Sequence, residues 1–317
     1  MRAVHISSLD GPEKVELVEV PEPTPVGDQV LIRVHAAGVA FPEVLQSRGQ
    51  YQMKPELPFI PGSEVAGEVI SAPEGSEFSA GDRVAALNLL GGFAEQVAAP
   101  EQFVFPLPDS VSFEAGASVI FNYGTAYFAL IERGHLQAGE RVLVHGAAGG
   151  IGTASIQVAK AFGAGRVVAV VSTDAKGEVA MGAGADEYVL ADGFRESLGD
   201  KVDIVVDPVG GDRFTDSLRS LREDGRLLVI GFTAGEIPTV KVNRLLLNNI
   251  SVMGVGWGAY VLGKEGHVRR EWDALLPHLA NGALDPVISS TRPLEEVVDA
   301  LLEIDERRAV GKVLLTP

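Results

Sequence analysis

The stretch Arg141-Val142-Leu143-Val144-His145-Gly146-Ala147-Ala148-Gly149-Gly150-Ile151-Gly152-Thr153 decides the fold. A short aliphatic run ends in a glycine-rich turn, and small and apolar residues continue from Thr153 to Phe162 as a helix that Gly163 stops. The dinucleotide fingerprint places glycines at relative positions one, three and six of such a turn. Here those positions hold Ala147, Gly149 and Gly152, so the first glycine has become alanine. Gly149 lets a backbone approach a pyrophosphate, and Gly152 lets the helix pack tightly on the strand. The helix start offers unpaired N–H groups and partial positive charge to phosphate. Ala148, Gly149, Gly150, Ile151 and Gly152 therefore form a candidate phosphate turn; the competing reading is a close-packed strand-to-helix turn without a ligand.

Working outward, further aliphatic runs follow at Arg166–Val171, Asp203–Asp207, Arg226–Ile230 and Ser251–Val255, separated by helix-length segments. Continuous Val/Ile/Leu runs alternating with helices predict an α/β domain with a doubly wound parallel sheet of Rossmann type, covered on both faces. The end of the second strand bears on cofactor choice. An acidic side chain there holds the adenosine ribose, whereas a cation with hydroxyls accommodates a 2′-phosphate. Ser172 and Lys176 favour NADPH over NADH. Asp174 is a counter-signal that reads as a helix cap, and a solvated Lys176 is the duller alternative.

Before residue 123 the chain is β-rich. Short runs such as Val30–Val34 and Val65–Ile70 are punctuated by turns at Pro21-Glu22-Pro23-Thr24-Pro25, Pro61-Gly62, Pro73-Glu74-Gly75 and Ala80-Gly81-Asp82, a spacing that suggests a small barrel. From about Gly263 the chain predicts a helix over Arg270–Leu279 stopped by Asn281-Gly282, a second over Pro293–Glu306, and a strand over Lys312–Leu315. This tail is too short to fold alone and is expected to complete the first domain.

Composition narrows the chemistry. The 317 residues, 46% hydrophobic and 22% charged, suit two soluble domains. No cysteine occurs, which excludes disulfides, Cys-ligated zinc, iron–sulfur clusters and thiolate nucleophiles. The net charge of −17 repels nucleic acid and anionic lipid. No uncharged apolar stretch reaches the roughly 18 residues of a membrane span, and the first residues lack a signal-peptide core, so a cytoplasmic protein is expected. The six histidines show no metal-ligand spacing, and no metal site is expected.

The set Pro61–Gly67, Gly81-Asp82-Arg83-Val84, Gly92-Phe93-Ala94-Glu95, Gly124-Thr125-Ala126-Tyr127, Val144–Gly152, Gly182–Asp186 and Gly311–Leu315 resembles, in order and over nearly the whole chain, the zinc-free quinone oxidoreductase (zeta-crystallin-like) branch of the medium-chain dehydrogenase/reductase superfamily. Zinc-dependent relatives place His-Glu where this chain has Ser63-Glu64. The resemblance implies a GroES-like β-barrel catalytic domain from residues 1–122 and 263–317, a Rossmann domain over 123–262, and NADPH between them. It further implies a homodimer formed by pairing edge strands at Ser251–Gly256. Thr125 matches a threonine approaching the nicotinamide and pyrophosphate, Lys176 the 2′-phosphate lysine, and Arg307 a second phosphate-binding cation. Gly231, Phe232, Thr233 and Val255, Gly256, Trp257 end later strands, where a parallel sheet faces ligand. Two departures stand out: Ala40 and Leu45 replace an Asn and a Tyr near the nicotinamide, and Ala191 replaces an adenosine-phosphate tyrosine.

The resulting expectation is NADPH-dependent reduction of a quinone or related electrophilic conjugated carbonyl, with Tyr51, Asn122 and Tyr123 as polar candidates for holding the acceptor oxygen. Each has a duller reading, Tyr51 as a loop anchor and Asn122 and Tyr123 as a hinge turn. A 2-enoyl thioester reductase is the alternative enzyme. It requires a proton donor, and Glu43, read as a solvated helix start, serves only if it points inward. A non-catalytic NADPH-binding protein is the alternative of another class.

Overall fold

The computed structural model describes residues 1–317. The chain first forms strands β1 (Arg2–His5), β2 (Glu16–Glu19) and β3 (Gln29–Val39), helix α1 (Phe41–Ser47), and strands β4 (Glu64–Ser71), β5 (Arg83–Leu87), β6 (Gln96–Pro100) and β7 (Val104–Pro106). Helix α2 (Phe113–Tyr127) leads through a π-helical turn, Phe128–Arg133, into β8 (Arg141–His145), α3 (Gly150–Ala161), β9 (Arg166–Val171), α4 (Asp174–Gly182) and β10 (Glu187–Leu190). Next come α5 (Phe194–Ser197), β11 (Val202–Asp207), α6 (Phe214–Ser220), β12 (Leu221–Val229), α7 (Asn243–Asn248), β13 (Ser251–Gly254) and α8 (Trp257–Val261). The chain closes with α9 (His267–Ala280), β14 (Ile288–Pro293), α10 (Val297–Asp305) and β15 (Lys312–Thr316). No helix is long and apolar enough to cross a membrane. Two compact units result: one from residues 1–121, 266–273 and 288–317, the other from 122–265 and 274–287.

In the first unit a seven-stranded mixed sheet runs β14-β15-β3-β4-β5-β7, with β6 on β3. β3 changes partner along its length, pairing Gln29–Arg33 with β6 and Ala37–Val39 with β15. The β3–β4 register slips between Val34 and Ala36. There a Cβ on Gly67 would lie 1.9 Å from Arg33 O, so only glycine permits the strands to approach at the bulge. Val4, Ile32, Phe93, Leu301 and Leu315 belong to one buried core. The segment Pro293–Glu306, read from sequence as one helix, divides instead: Pro293 ends β14, a single tight turn covers Leu294–Glu296, and α10 follows. The polar run Ser289-Ser290-Thr291-Arg292 suits an edge strand, and it pairs parallel to β15.

The second unit holds six strands, all parallel, in the order β10-β9-β8-β11-β12-β13. This is the Rossmann arrangement. Val142, Leu143, Val144, Val168, Val170, Ile204, Val205 and Val206 are buried, as a sheet covered on both faces demands. The short segment 274–287 groups with this unit. Gln157 holds it, with Nε2 donating to Asp285 O (2.7 Å) and Oε1 accepting from Asp285 N–H (2.8 Å).

Candidate active site

Parallel strands bring all six carboxyl ends of the second unit to one edge. The strand order reverses between β8 and β11, where open α/β sheets place their ligand crevice. β8 runs into a turn in which Gly149 N–H donates to Gly146 O (2.9 Å) and Ala147 N–H to Val170 O (3.3 Å). A Cβ at Gly152 would fall 2.2 Å from Gly146 O, so the protein's own packing requires that glycine. At Gly149 the nearest atom to such a Cβ, Gly146 O, is 3.4 Å away, and the surrounding space is left for something else. Gly149 caps α3 without a side-chain acceptor, and no acidic residue lies in the first turn. The N–H groups of Gly150, Ile151 and Gly152 therefore open the helix unpaired, a donor set that fits a diphosphate.

The candidates that follow β9, β12 and β13 lie at the same edge. Ser172 is exposed just beyond β9, and Lys176 sits half-buried in the first turn of α4. The cap of α4 is Thr173, whose hydroxyl accepts from Lys176 N–H (3.3 Å), and not Asp174 as the sequence suggested. Asp174 Oδ1 instead accepts from the Tyr188 hydroxyl (3.2 Å). Gly231, Phe232 and Thr233 follow β12, and Thr233 N–H donates to Pro208 O (3.2 Å) beyond β11. Val255, Gly256 and Trp257 follow β13, with Val255 N–H on Val229 O (2.9 Å). Thr125 is buried on α2.

Asn122 and Tyr123 lie within α2, not in a hinge turn, and both are buried. The Tyr123 hydroxyl donates to Gln157 Oε1 (2.7 Å), and burial holds it protonated, pushing its pKa far up. Tyr123 is a packing anchor here and leaves the list of acceptor ligands. In the first unit, Tyr51 is half-buried, its pKa raised by burial and then by Glu43. Arg307, in the turn after α10, adopts a left-handed φ of 59°.

Sequence reasoning missed one cluster in the first unit. Glu43, expected in solvent, has no exposed surface at all. Its Oε2 accepts from Ala40 N–H (3.0 Å) and its Oε1 lies 2.6 Å from Ser63 Oγ. Burial raises its pKa, against the opposing influences of Ser63 and Lys312. Next to Ser63, Glu64 is buried against Lys312 Nζ and also accepts from Phe121 N–H (2.9 Å). Asn88 donates its backbone N–H to Ser63 O (2.7 Å), and its buried Oδ1 has no partner. A helical spacing was the available signal: Glu43, Gln46 and Ser47 form a polar stripe on α1, and all three are buried.

Comparison with known proteins agrees with this layout. Residues 27–109 match the alcohol dehydrogenase GroES-like domain, and residues 150–281 the zinc-binding dehydrogenase family. A rat quinone oxidoreductase-like protein 2 is 38% identical over 99% of this chain and 92% of its own length. The chain belongs to the quinone oxidoreductase branch of the medium-chain dehydrogenases/reductases. It is an oxidoreductase of that family. The quinone oxidoreductase of Thermus thermophilus, solved also with NADPH, superposes with a TM-score of 0.86 at 35% identity over the whole of both chains. A mycobacterial protein solved with NADPH gives a TM-score of 0.91 at 31% identity, again over both whole chains. In this quinone oxidoreductase relative, then, the parallel sheet and the GroES-like sheet are the two expected halves.

Proposed function

We propose that the chain is a zinc-independent, NADPH-dependent reductase of quinones or related conjugated carbonyls. The observation that carries the reading is the turn at Gly146–Gly152, with open space at Gly149 and three unpaired amides at the start of α3. Ala148, Gly149, Gly150, Ile151 and Gly152 would hold the diphosphate, and Ser172, Lys176 and Arg307 the 2′-phosphate. Thr125 and the loops Gly231–Thr233 and Val255–Trp257 would flank the rest. When bound, the nicotinamide supplies a hydride. The protein's part is to bind, orient and exclude water. Zinc-independence is supported by the lack of cysteine and by the commitment of Glu64 to Lys312 and Phe121 N–H. Tyr51 and Asn122 remain the candidates for steadying the acceptor oxygen.

Fluorescence titration tests the cofactor and steady-state NADPH oxidation with simple quinones and enones tests the chemistry. Lys176→Ala is expected to weaken NADPH about tenfold or more while leaving NADH unchanged, as loss of a charge-assisted phosphate contact implies. Binding without turnover on any acceptor would leave a non-catalytic NADPH protein. The 2-enoyl thioester reductase gains one observation, since Glu43 points inward, and a thioester among the acceptors separates it.

A homodimer is part of the proposal. β13 is an edge of the parallel sheet, and nearby Ile237, Val242, Leu246 and Leu247 are each at least 70% exposed. An open edge beside such a patch favours a second copy as its cover.

A further inference from the structure

Resting on the NADPH reading above, we propose that Tyr188 sets the preference for the phosphorylated cofactor by holding the Asp174 carboxylate away from the adenosine ribose. Asp174 lies in the first turn of α4, three residues beyond the end of β9. An acid at the end of this strand of a Rossmann sheet accepts from the 2′-hydroxyl of NADH. The same charge repels a 2′-phosphate. A chain that takes NADPH therefore has to keep Asp174 out of that place.

Two contacts do so. The Tyr188 ring packs against α4 at Gly177, where a Cβ would fall 2.6 Å from the ring atoms Cδ2 and Cε2. The Tyr188 hydroxyl donates to Asp174 Oδ1 (3.2 Å). Asp174 and Gly177 are three residues apart and share one face of the helix, the face turned to β10. Lys176 is two residues from Asp174 and so stands on a different side. The helix thereby separates its acid from its lysine. Thr173 serves as the cap, its hydroxyl accepting from Lys176 N–H (3.3 Å), so Asp174 has no capping duty.

Helix-on-sheet packing explains the ring but not the hydroxyl. A phenylalanine would cover Gly177 equally well, and Asp174 is exposed, where water alone satisfies a carboxylate. The hydrogen bond to Asp174, slight desolvation and the charges of Asp174 and Glu178 raise the Tyr188 pKa. The hydroxyl therefore keeps its proton and stays a donor across the neutral range. Without it the exposed Asp174 side chain reorients freely, its charge opposing a phosphate and its oxygens open to a ribose hydroxyl. Tyr188 is thus a positioning residue that acts through Asp174.

The test uses Tyr188→Phe, Asp174→Asn and the double variant in the full chain, titrated by fluorescence with NADPH and with NADH. Tyr188→Phe keeps the ring on Gly177 and removes only the hydroxyl. In it the ratio of NADPH to NADH affinity should fall about three- to fivefold, as the release of one exposed charge implies. The double variant should recover the wild-type ratio or exceed it. An unchanged ratio, equal weakening of both cofactors, or a fall that Asp174→Asn does not reverse overturns the proposal and leaves NADPH binding standing. A second readout needs no cofactor. The ultraviolet tyrosinate titration of Tyr188, taken as the difference between chains with and without its hydroxyl, should lie above that of an ordinary tyrosine. It should move down in Asp174→Asn. A titration indifferent to that substitution overturns the proposal whatever the cofactors do. The expected titration with neither cofactor bound overturns the NADPH reading, and the role of Tyr188 in specificity with it.

Discussion

At the end of β8, His145 Nε2 lies 2.8 Å from Ser217 Oγ, and Ser217 Oγ itself donates to Arg213 O (3.0 Å). Nε2 is therefore the donor, and the buried imidazole is neutral with Nδ1 unpartnered. Burial lowers its pKa from 6.5 to about 4, with Asp207 opposing and Arg213 adding. Between those values the unfolded chain takes up a proton that the folded one refuses, so stability falls as pH drops from 6.5 towards 4 and this share of the loss is complete below it. The share is roughly 3 kcal/mol, and thermal melts of wild type and His145→Gln across this window should differ in slope in that sense. Tyr123→Phe removes one buried hydrogen bond and should cost about 1 kcal/mol with KM and kcat unchanged; a raised KM would restore Tyr123 as an acceptor ligand. The glycine-rich turn between β8 and α3 was readable because an aliphatic strand passes directly into a small-residue helix, with Gly152 at the point of closest packing. Glu43 was not, because a charged residue at a helix start is normally solvated, and only tertiary packing reveals that α1 is covered on its polar stripe too.

Elements show the same division between local and distant causes. Gly152→Ala pushes a methyl into the Gly146 carbonyl, so overpacking of about 2 kcal/mol or more is expected, together with loss of NADPH binding as α3 tilts off β8. Calorimetry and titration read the two effects. β8 and β9 were legible to the residue, Arg141–His145 and Arg166–Val171, since a strand buried on both faces admits little but aliphatic side chains. The α3 start was read at Thr153 and lies at Gly150, because glycines that look like a turn also serve as a first helical turn when close packing demands them. β10 escaped notice: Glu187-Tyr188-Val189-Leu190 is short, and as an edge strand it pays no penalty for polar residues. β14 escaped for the same reason, its serines and Arg292 masking a strand that exists only because β15 lies beside it.

For the whole molecule, the dimer proposal makes the sharpest demand. Leu246→Asp with Leu247→Asp alters only exposed positions, so the fold should persist while sedimentation shifts from two chains to one. With a net charge of −17 per chain, two copies repel, and added salt should tighten their association by screening. An unchanged mass in the double variant would remove this patch from the interface. One earlier feature bears on how such a chain is made. Glu64 is paired with a lysine 248 positions away, on a strand that also fills the gap between β14 and β3. The parallel sheet is complete once residue 254 has emerged, but during synthesis the mixed sheet must wait for β15 with an unneutralised carboxylate at its centre and open strand edges. A nascent polypeptide stalled before Lys312 is thus the form in which chaperone capture, or clumping with its neighbours, should be greatest.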